Sequence, residues 1–207
     1  MYILFAIFCS QFKLFYEQEQ RLDITTLQQV HHHEIDNRSK AQDDKRMYGS
    51  SVGTFIIESL SPHEIEAAKE LIIEYFHWIG VDLSFQHIED ELANFPDRYR
   101  EPDGAFLLAK VDKQIVGCVG LKKIDSHVCE MKRLFVREEF RMLGIGKALV
   151  GMILAEAEKL GYTALRLDTL SWMKGAVGLY RKFGFVEIGQ YVENPLPGAI
   201  FMEKLLK

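Results

Sequence analysis

Apolar and polar positions begin to follow a regular pattern at Thr54. The run "TFIIESL" is rich in β-branched and aromatic residues and predicts a first strand. Ser61 follows as a helix N-cap, with Pro62 at the first helical position and Glu64 at the capping-box position. Apolar residues then recur at helical spacing up to Gly80, a typical C-terminal stop. The pattern therefore predicts a strand followed by an amphipathic helix.

The rest of the chain contains further runs with strand and helix periodicity. Short polar links separate the next three strand-like runs, which predicts an antiparallel meander. Helices are predicted over residues 84–94, from about 144 to 160, and over 171–183. Strands are predicted in "AFLLAKV", "IVGCVGLKKI", "CEMKRLFV", "TALRLDTL", "FVEIG" and "AIFMEKLL". The order β-α-α-β-β-β-α-β-α-β-β indicates an α+β fold with helices packed over a sheet.

Residues 1–53 lack this pattern. The opening run "MYILFAIFCSQFKLFY" is too short to span a bilayer and lacks the basic start and cleavage site of a signal peptide. Residues 17–50 are polar, and "HHHEID" at 31–36 has no metal-ligand spacing around it, so we interpret it as a solvated stretch. We predict a poorly patterned N-terminal extension over 1–53, with Met47 as an alternative start, and one domain over 54–207.

Composition and charge narrow the choice of partners. The net charge of −5 and pI of about 5.8 do not indicate the basic surface that nucleic acid binding needs. We therefore expect no nucleic acid partner, and we expect no membrane partner either. The three cysteines form no CxxC pair, so we predict no metal site, no disulfide framework and a cytoplasmic setting. Cys118 and Cys129 lie in strand-like runs and are interpreted as buried hydrophobes rather than catalytic thiols.

The stretch "RMLGIGKALV", residues 141–150, indicates a phosphate site. Gly144 and Gly146 stand where a strand gives way to a long helix, and the first turn of a helix offers unpaired N–H groups to an anion. Arg141 and Lys147 add positive charge. A Walker A loop and a Rossmann fingerprint both fail, because Ala148 and Leu149 stand where those motifs need Ser/Thr and Gly. Two interpretations stay open, an R-x-x-G-x-G phosphate loop and a glycine-rich helix entry without a ligand.

The longer stretch "CEMKRLFVREEFRMLGIGKALV" resembles the acetyl-CoA-binding core of the GNAT superfamily of N-acetyltransferases. The segments "RLDTL" and "AVGLYRKFGF" resemble the next strand and helix of that family. Two positions depart from the pattern, Glu138 where proline is common and Met173 where asparagine is common. The resemblance covers residues 54–207 and implies a mixed, largely antiparallel sheet with helices on both faces.

The resemblance also implies where acetyl-CoA binds as co-substrate. Residues 142–147 are expected to wrap the pyrophosphate, and the strand at 134–136 to pair with the pantetheine arm. The strands "CEMKRLFV" and "TALRLDTL" are expected to splay apart, with the thioester in the gap. The predicted cofactor-binding residues are Leu134, Phe135, Val136, Arg141, Met142, Leu143, Gly144, Ile145, Gly146 and Lys147.

The reaction implied is attack of an amine on the thioester. An alkylamine has a pKa of about 10.4, so on the order of one part in a thousand is the free base at pH 7. A general base therefore helps. Glu130, eleven positions before Arg141, matches the base of some family members; the alternative is an edge-strand glutamate paired with Lys132 or Arg133. Tyr180 in "GLYRKFGF" matches the family's acid; the alternative is a core tyrosine.

The resemblance implies that the first two helices and the last hairpin line the acceptor end. The predicted substrate residues are Trp78, Asp82, Phe85, Asp168, Tyr191 and Asn194, with Asp168 also a second acidic candidate. The sequence therefore predicts an N-acetyltransferase that passes acetyl from acetyl-CoA to a small primary amine in a direct ternary complex. Two alternatives stay open, a non-catalytic acyl-CoA-binding or regulatory domain and a nucleotide-binding module; a homodimer is allowed.

Overall fold

One seven-stranded sheet organises the residues described by the computed structural model, 55–80 and 88–207. Its strand order is β1-β2-β3-β4-β5-β7-β6, and every neighbouring pair is antiparallel except β4 and β5. The strands are β1 Phe55–Ser59, β2 Ala105–Val111, β3 Gln114–Lys123, β4 Val128–Val136, β5 Ala164–Leu170, β6 Val186–Ile188 and β7 Ala199–Leu205. The helices are α1 Ile65–Ile79, α2 Ile88–Ala93, α3 Ile145–Lys159 and α4 Lys174–Lys182. The predicted element order and fold class are confirmed.

The start and end signals of α1 act as the sequence predicts. The backbone N–H of Ser61 donates to Oε2 of Glu64 at 3.2 Å, which is the hydrogen bond that a capping box requires between the N-cap backbone and the glutamate side chain. A single 3-10 turn over Pro62–Glu64 precedes the α-helix. Gly80 adopts the left-handed conformation, φ +67°, and its N–H donates to the carbonyl of Phe76. Local sequence therefore fixes both ends of this helix.

The helices cover both faces of the sheet because neighbouring strand residues point to opposite sides. On one face Phe106 and Leu108 pack with Leu71 and Ile72 of α1, and α2 lies on the same side. On the other face the alternate residues of β2 pack with α3 and α4. That second core includes Leu107, Ala109, Leu149, Ile153 and Tyr180. Each strand of the sheet centre is thus buried on both faces.

Two local predictions need correction. The loop expected after β4 contains a 3-10 helix over Glu138–Leu143, and it delivers Gly144 in the left-handed conformation. Helix α4 begins at Lys174 rather than at residue 171. The N–H of Ser171 donates to the carbonyl of Gly198 at 2.8 Å, so a contact with the loop before β7 delays the helix. Helix caps can be predicted from neighbouring residues, but this hydrogen bond joins two segments that are far apart in the sequence.

Several predictions fall outside the described residues. They are the extension over 1–53, the alternative start at Met47, the histidine run at 31–36, the start of α2 at 84–87 and the substrate candidates Asp82 and Phe85. Cys118 and Cys129 are buried and free, which confirms their interpretation as small core residues. Over residues 55–80 and 88–207, no helix has the length and apolar character needed to cross a membrane. The same residues contain no cluster of three His, Cys, Asp or Glu side chains suited to a metal ion.

Candidate active site

The centre of the sheet contains a gap between β4 and β5. These parallel strands pair only through Val128–Ala164, Cys129–Leu165 and Glu130–Arg166. Beyond Glu130 the two strands diverge, and a cavity of about 80 Å³, here called the gap cavity, lies between them. Met131 and Leu167 line it from the two strands. The backbone edge of β4 that faces β5 is therefore free of strand pairing from Met131 onward.

The glycine loop lies at the far end of β4. Gly144 has φ +78°, a conformation that favours glycine, and α3 starts at the next residue. The N–H of Ala148 donates to the carbonyl of Gly144 at 3.1 Å, so helical bonding begins there. The N–H groups of residues 145–147 precede that bond and lack intrahelical partners. A Cβ built on Gly146 meets its nearest neighbours, Leu179 and Val136, only at 3.9 Å.

A wide groove of about 850 Å³, here called the loop groove, runs along this region. Four cationic side chains line it, Arg141, Lys147, Lys174 and Lys182. The first two were predicted from the sequence, whereas the two on α4 were not; Gly175 and Gly178 of that helix also line the groove. The groove therefore combines free N–H groups with four positive charges, a combination that favours a phosphate-bearing ligand.

Trp78 belongs to this groove rather than to the cavity that contains Glu130. The guanidinium carbon of Arg141 lies 4.3 Å from the Trp78 ring centroid, and the Nε of Arg141 donates to the carbonyl of Val136 at 3.0 Å. Trp172 packs beside Trp78 in a tilted arrangement, with ring centroids 6.4 Å apart. Both indoles are 40–48% exposed. Contacts between α1 and the glycine loop thus hold Arg141 in place, and the acceptor role predicted for Trp78 has no support from its position.

The other predicted cofactor residues differ in what they can offer. Leu134 and Val136 line the loop groove, as does Phe135, whose ring packs 5.8 Å from Tyr75. Ile145 is fully buried in the core, and Leu143 packs against the same core. Met142 is 96% exposed. Leu143 and Ile145 can therefore contact a ligand chiefly through their backbone, whereas the side chain of Met142 is open to solvent.

Glu130 is buried, with 2% of its surface exposed, and lies on a central strand. The alternative interpretation, an edge-strand glutamate, is therefore wrong about the strand's position, although the pairing with Lys132 that it named is confirmed. Oε1 of Glu130 accepts a hydrogen bond from the Tyr191 hydroxyl at 2.9 Å and lies 3.4 Å from Nζ of Lys132. Oε2 lies 3.5 Å from Nζ of Lys122. The carboxylate is thus held by three neighbours, one of them from the loop after β6.

Lys132 joins the predicted acidic residues into one network. Its Nζ donates to Oδ1 of Asp168 at 3.3 Å, while Nδ2 of Asn194 donates to Oδ2 of Asp168 at 2.8 Å. Glu130 and Lys132 point to the same face because they are two positions apart on a strand. The structure therefore brings together four predicted residues, Glu130, Asp168, Tyr191 and Asn194. Lys132 was not among the predicted site residues, and alternation along β4 is the signal that could have indicated it.

Arg133 is missing from the predicted site, although its side chain lies on the same face of the sheet as those of Glu130 and Lys132. It adopts φ +57° where the β3–β4 register shifts, and its Nε donates to Oε1 of Glu91 at 2.7 Å. The Tyr99 hydroxyl donates to the same oxygen at 2.8 Å. Burial alone would raise the pKa of Glu91, but the Arg133 contacts outweigh it and lower the pKa. No sequence signal indicates this pair, because its members are 42 positions apart.

The carboxylate of Glu130 lines a third space of about 320 Å³, here called the charged cavity. Lys132, Arg133 and Asp168 line both the charged cavity and the gap cavity. Leu134, Met173 and Ala176 line both the gap cavity and the loop groove. The three spaces therefore adjoin in the order charged cavity, gap, loop groove, with the β4–β5 splay in the middle.

Tyr180 reaches the gap cavity from α4. It is buried, its ring lies 5.9 Å from that of Phe185, and its hydroxyl has no hydrogen-bond partner among residues 55–80 and 88–207. Burial raises the pKa of Tyr180, and nearby Tyr75 and Asp168 raise it further. The phenol is therefore a protonated donor that borders the gap, and it is also the core tyrosine of the alternative interpretation.

Comparisons with known proteins agree with this architecture. The sequence model of the acetyltransferase (GNAT) family matches residues 66–185. An uncharacterized N-acetyltransferase of Schizosaccharomyces pombe is 41% identical over 143 residues, which are 68% of this chain and 88% of the relative. A GNAT-family acetyltransferase from Staphylococcus aureus shares the fold with a TM-score of 0.62 and 25% identity, covering 74% of this chain and 100% of its own.

A GNAT-family acetyltransferase from Elizabethkingia anophelis, solved with acetyl-CoA bound, also shares the fold. Its TM-score is 0.52 at 23% identity, over 73% of this chain and 98% of that one. The match to the family model extends from α1 to the residue before β6 and so includes the glycine loop, the splayed strands and Tyr180. The chain is thus an acyltransferase and belongs to the GNAT family of acetyltransferases.

Proposed function

We propose that this enzyme transfers the acetyl group of acetyl-CoA to a primary amine by direct attack of the amine on the thioester. The observation that carries the proposal is the β4–β5 splay. Strand pairing stops at Glu130, which lines the charged cavity. Beyond Glu130 the gap between the strands opens toward the loop groove. An amine and a thioester that enter from opposite sides would meet in the gap.

The residues of the loop groove fit a coenzyme A pyrophosphate. The N–H groups of residues 145–147, the open surface at Gly146 and the four groove cations match the needs of an anionic ligand. The unpaired edge of β4 beyond Glu130 fits an extended amide-bearing arm. The acetyl-CoA bound by the Elizabethkingia anophelis neighbour adds support at the level of the fold.

Glu130 and Tyr180 take the proton-transfer roles in this proposal. Acetyl-CoA supplies the activated acyl carbon. Glu130, oriented by Tyr191 and Lys132, accepts the proton of the incoming ammonium, directly or through a water. Tyr180 donates its hydroxyl proton to the sulfur as the C–S bond breaks, and it regains a proton from the nitrogen that has formed the amide. The products are the N-acetylated amine, free coenzyme A thiol and one proton.

Direct transfer is favoured by the state of Cys118 and Cys129, the two cysteines in the described part of the chain. Burial raises the pKa of Cys118 to about 12 and that of Cys129 to about 12. A thiol with such a pKa is almost wholly protonated at pH 7, and both side chains are sealed in the core. Neither thiol is therefore suited to carry the acetyl group, which favours a ternary complex over a covalent acyl-enzyme.

An amine panel tests the proposal. Release of free coenzyme A thiol is followed from acetyl-CoA with amino acids, polyamines, arylalkylamines and simple alkylamines. We expect turnover with at least one amine and intersecting lines in double-reciprocal plots, as a ternary complex requires. Parallel lines would indicate a covalent acetyl-enzyme, and binding of acetyl-CoA without turnover on any amine would contradict the proposal.

Glu130→Gln then tests the base. The variant should lose on the order of 100-fold in kcat/KM at pH 6.5. The loss should shrink toward pH 9.5, because the free amine becomes abundant without help. The matched control is Glu74→Gln on α1, whose carboxylate pairs with Arg137 just after the end of β4. A Glu130→Gln profile that runs parallel to the wild type at every pH would remove Glu130 as base.

A further inference from the structure

The charged cavity has a mouth formed by two cationic side chains. Arg98 and Lys122 line it, and they also line an adjacent surface depression of about 580 Å³. They are the only two residues common to the two spaces among the described part of the chain. An acceptor that reaches Glu130 from this side must therefore pass beside both cations.

These two cations have little compensation from the protein. Arg98 forms no ion pair or hydrogen bond with residues 55–80 or 88–207, and Lys122 has one acidic neighbour, Glu130, at a loose 3.5 Å. Neighbouring cations are already paired. Arg100 lies 2.9 Å from Asp97, and Lys123 lies 2.9 Å from Asp103. The mouth therefore offers positive charge that an anionic group on the acceptor can use.

Lys122 and Glu130 also set how far apart the acceptor's charges should be. Their charged atoms are 3.5 Å apart. Hydrogen bonds to each span about 2.7–3.2 Å, so a bound ammonium and a bound carboxylate can lie side by side. An α-amino acid carries these two groups on one carbon. A zwitterion of this kind matches the alternation of charge along the cavity wall.

Acidic side chains at the rim suggest a competing acceptor. Asp90 and Glu193 also line the charged cavity and would favour a diamine. Both are exposed, whereas Arg98 and Lys122 are partly buried. Exposed charges are well solvated and screened, so they select a ligand less strongly than partly buried ones. The side chains of the cavity therefore favour an amine that carries a carboxylate over a diamine.

We propose that the acceptor is a free α-amino acid, with Arg98 and Lys122 binding its carboxylate while Glu130 receives its ammonium. This inference rests on the proposed function, because it names the acceptor of the same site. Arg98 and Lys122 determine specificity and take no part in the chemical step. Removal of the acceptor's carboxylate charge should therefore raise KM far more than it lowers kcat.

The test compares each amino acid with its own amide, which keeps the size and the amine but loses the negative charge. We expect kcat/KM to be at least about tenfold higher for the acid, as fits a charge-assisted contact. Arg98→Gln and Lys122→Gln should each shrink that ratio through the KM of the acid. Arg100→Gln and Lys123→Gln, cations of the outer depression that are already paired, should leave the ratio unchanged.

A binding measurement separates this inference from the proposed function. Amino acids and their amides are titrated calorimetrically into the full-length protein saturated with coenzyme A. Acid-selective binding that Arg98→Gln weakens, without turnover, would support the carboxylate site and contradict the acetyltransferase proposal. Equal rates and equal affinities for acid and amide, or a preference for diamines, would overturn the carboxylate site and leave the transferase intact. Neither binding nor turnover would overturn both.

Discussion

The hydroxyl of Tyr191 donates a hydrogen bond to Oε1 of Glu130 across 2.9 Å, although the two residues are 61 positions apart. Tyr191 packs edge to face on Phe201, and the guanidinium of Arg166 lies 5.4 Å from its ring. Burial raises the pKa of Tyr191, and the adjacent Glu130 carboxylate raises it further, so the phenol remains a donor at neutral pH. The loop after β6 thereby orients a carboxylate at the centre of the sheet.

Tyr191→Phe should lower kcat/KM about tenfold, because one hydrogen bond to a charged group is lost while the ring contacts remain. The fall should appear mainly in kcat, since Tyr191 acts through the orientation of Glu130. Tyr162→Phe is the matched control; its hydroxyl donates to the Asp103 carbonyl at 2.7 Å, away from the site. Equal activity of Tyr191→Phe and wild type would show that Glu130 is oriented without the phenol.

Tyr180→Phe should lower kcat on the order of 100-fold and leave acetyl-CoA affinity nearly unchanged. The ring stays packed and the hydroxyl has no partner among the described residues, so thermal stability should change little. The pKa of Tyr180 is raised above its ordinary value of 10, so the donor form persists through pH 9.5. The ratio of wild-type to variant kcat should therefore stay constant from pH 7 to 9.5. A Tyr180→Phe variant with the kcat of the wild type would show that Tyr180 serves only as a core residue.

Gly146→Val and Gly144→Ala should separate ligand binding from backbone strain. A side chain at Gly146 has room in the fold but projects into the loop groove, so calorimetry should show at least a tenfold loss of acetyl-CoA affinity with an unchanged melting curve. Gly144 has φ +78°, so Gly144→Ala should also cost about 1–2 kcal/mol of stability. Gly151→Ala, within α3 and in ordinary contact with Phe183, is the control and should keep full affinity. Undiminished affinity in folded Gly146→Val would place the pyrophosphate elsewhere.

Glu91→Gln should destabilise the fold by about 3–5 kcal/mol in denaturant titrations, because it leaves the Arg133 guanidinium buried without its charge partner. The half-exposed pair of Glu74 and Arg137 provides the control, and Glu74→Gln should cost about 1 kcal/mol or less.

The effect of Glu91 has a defined pH dependence. Its folded pKa is lowered from 4.5, so its contribution is fully present above about pH 4.5 and is lost as the pH falls through the folded pKa. The stability difference between wild type and Glu91→Gln should thus be flat from pH 6 to 8 and shrink in acid. A difference that grows as the pH falls would contradict the assigned ion pair.

Much of the fold could be predicted from local sequence. The capping box at Ser61 and Glu64, the stop at Gly80 and the strand alternation are short-range requirements, so a few neighbouring residues specify them. The glycine loop belongs to the same class, because left-handed backbone at Gly144 and access at Gly146 are properties of single positions. Their contiguity in "RMLGIGKALV" is why a family resemblance could be stated from the chain alone.

The arrangement of the site depended on contacts between distant segments. Trp78 was expected at the acceptor end, yet the fold stacks it on Arg141, 63 positions later, beside the loop groove. The sequence placed Glu130 on a strand but could not supply Tyr191 as its partner, nor Glu91 as the partner of Arg133. The sequence by itself determined the elements and the glycine loop, because those follow from the backbone demands of neighbouring residues. Only the tertiary structure decided which charges meet, because a buried charge takes its partner from whichever strand, helix or loop the packing brings within hydrogen-bond distance.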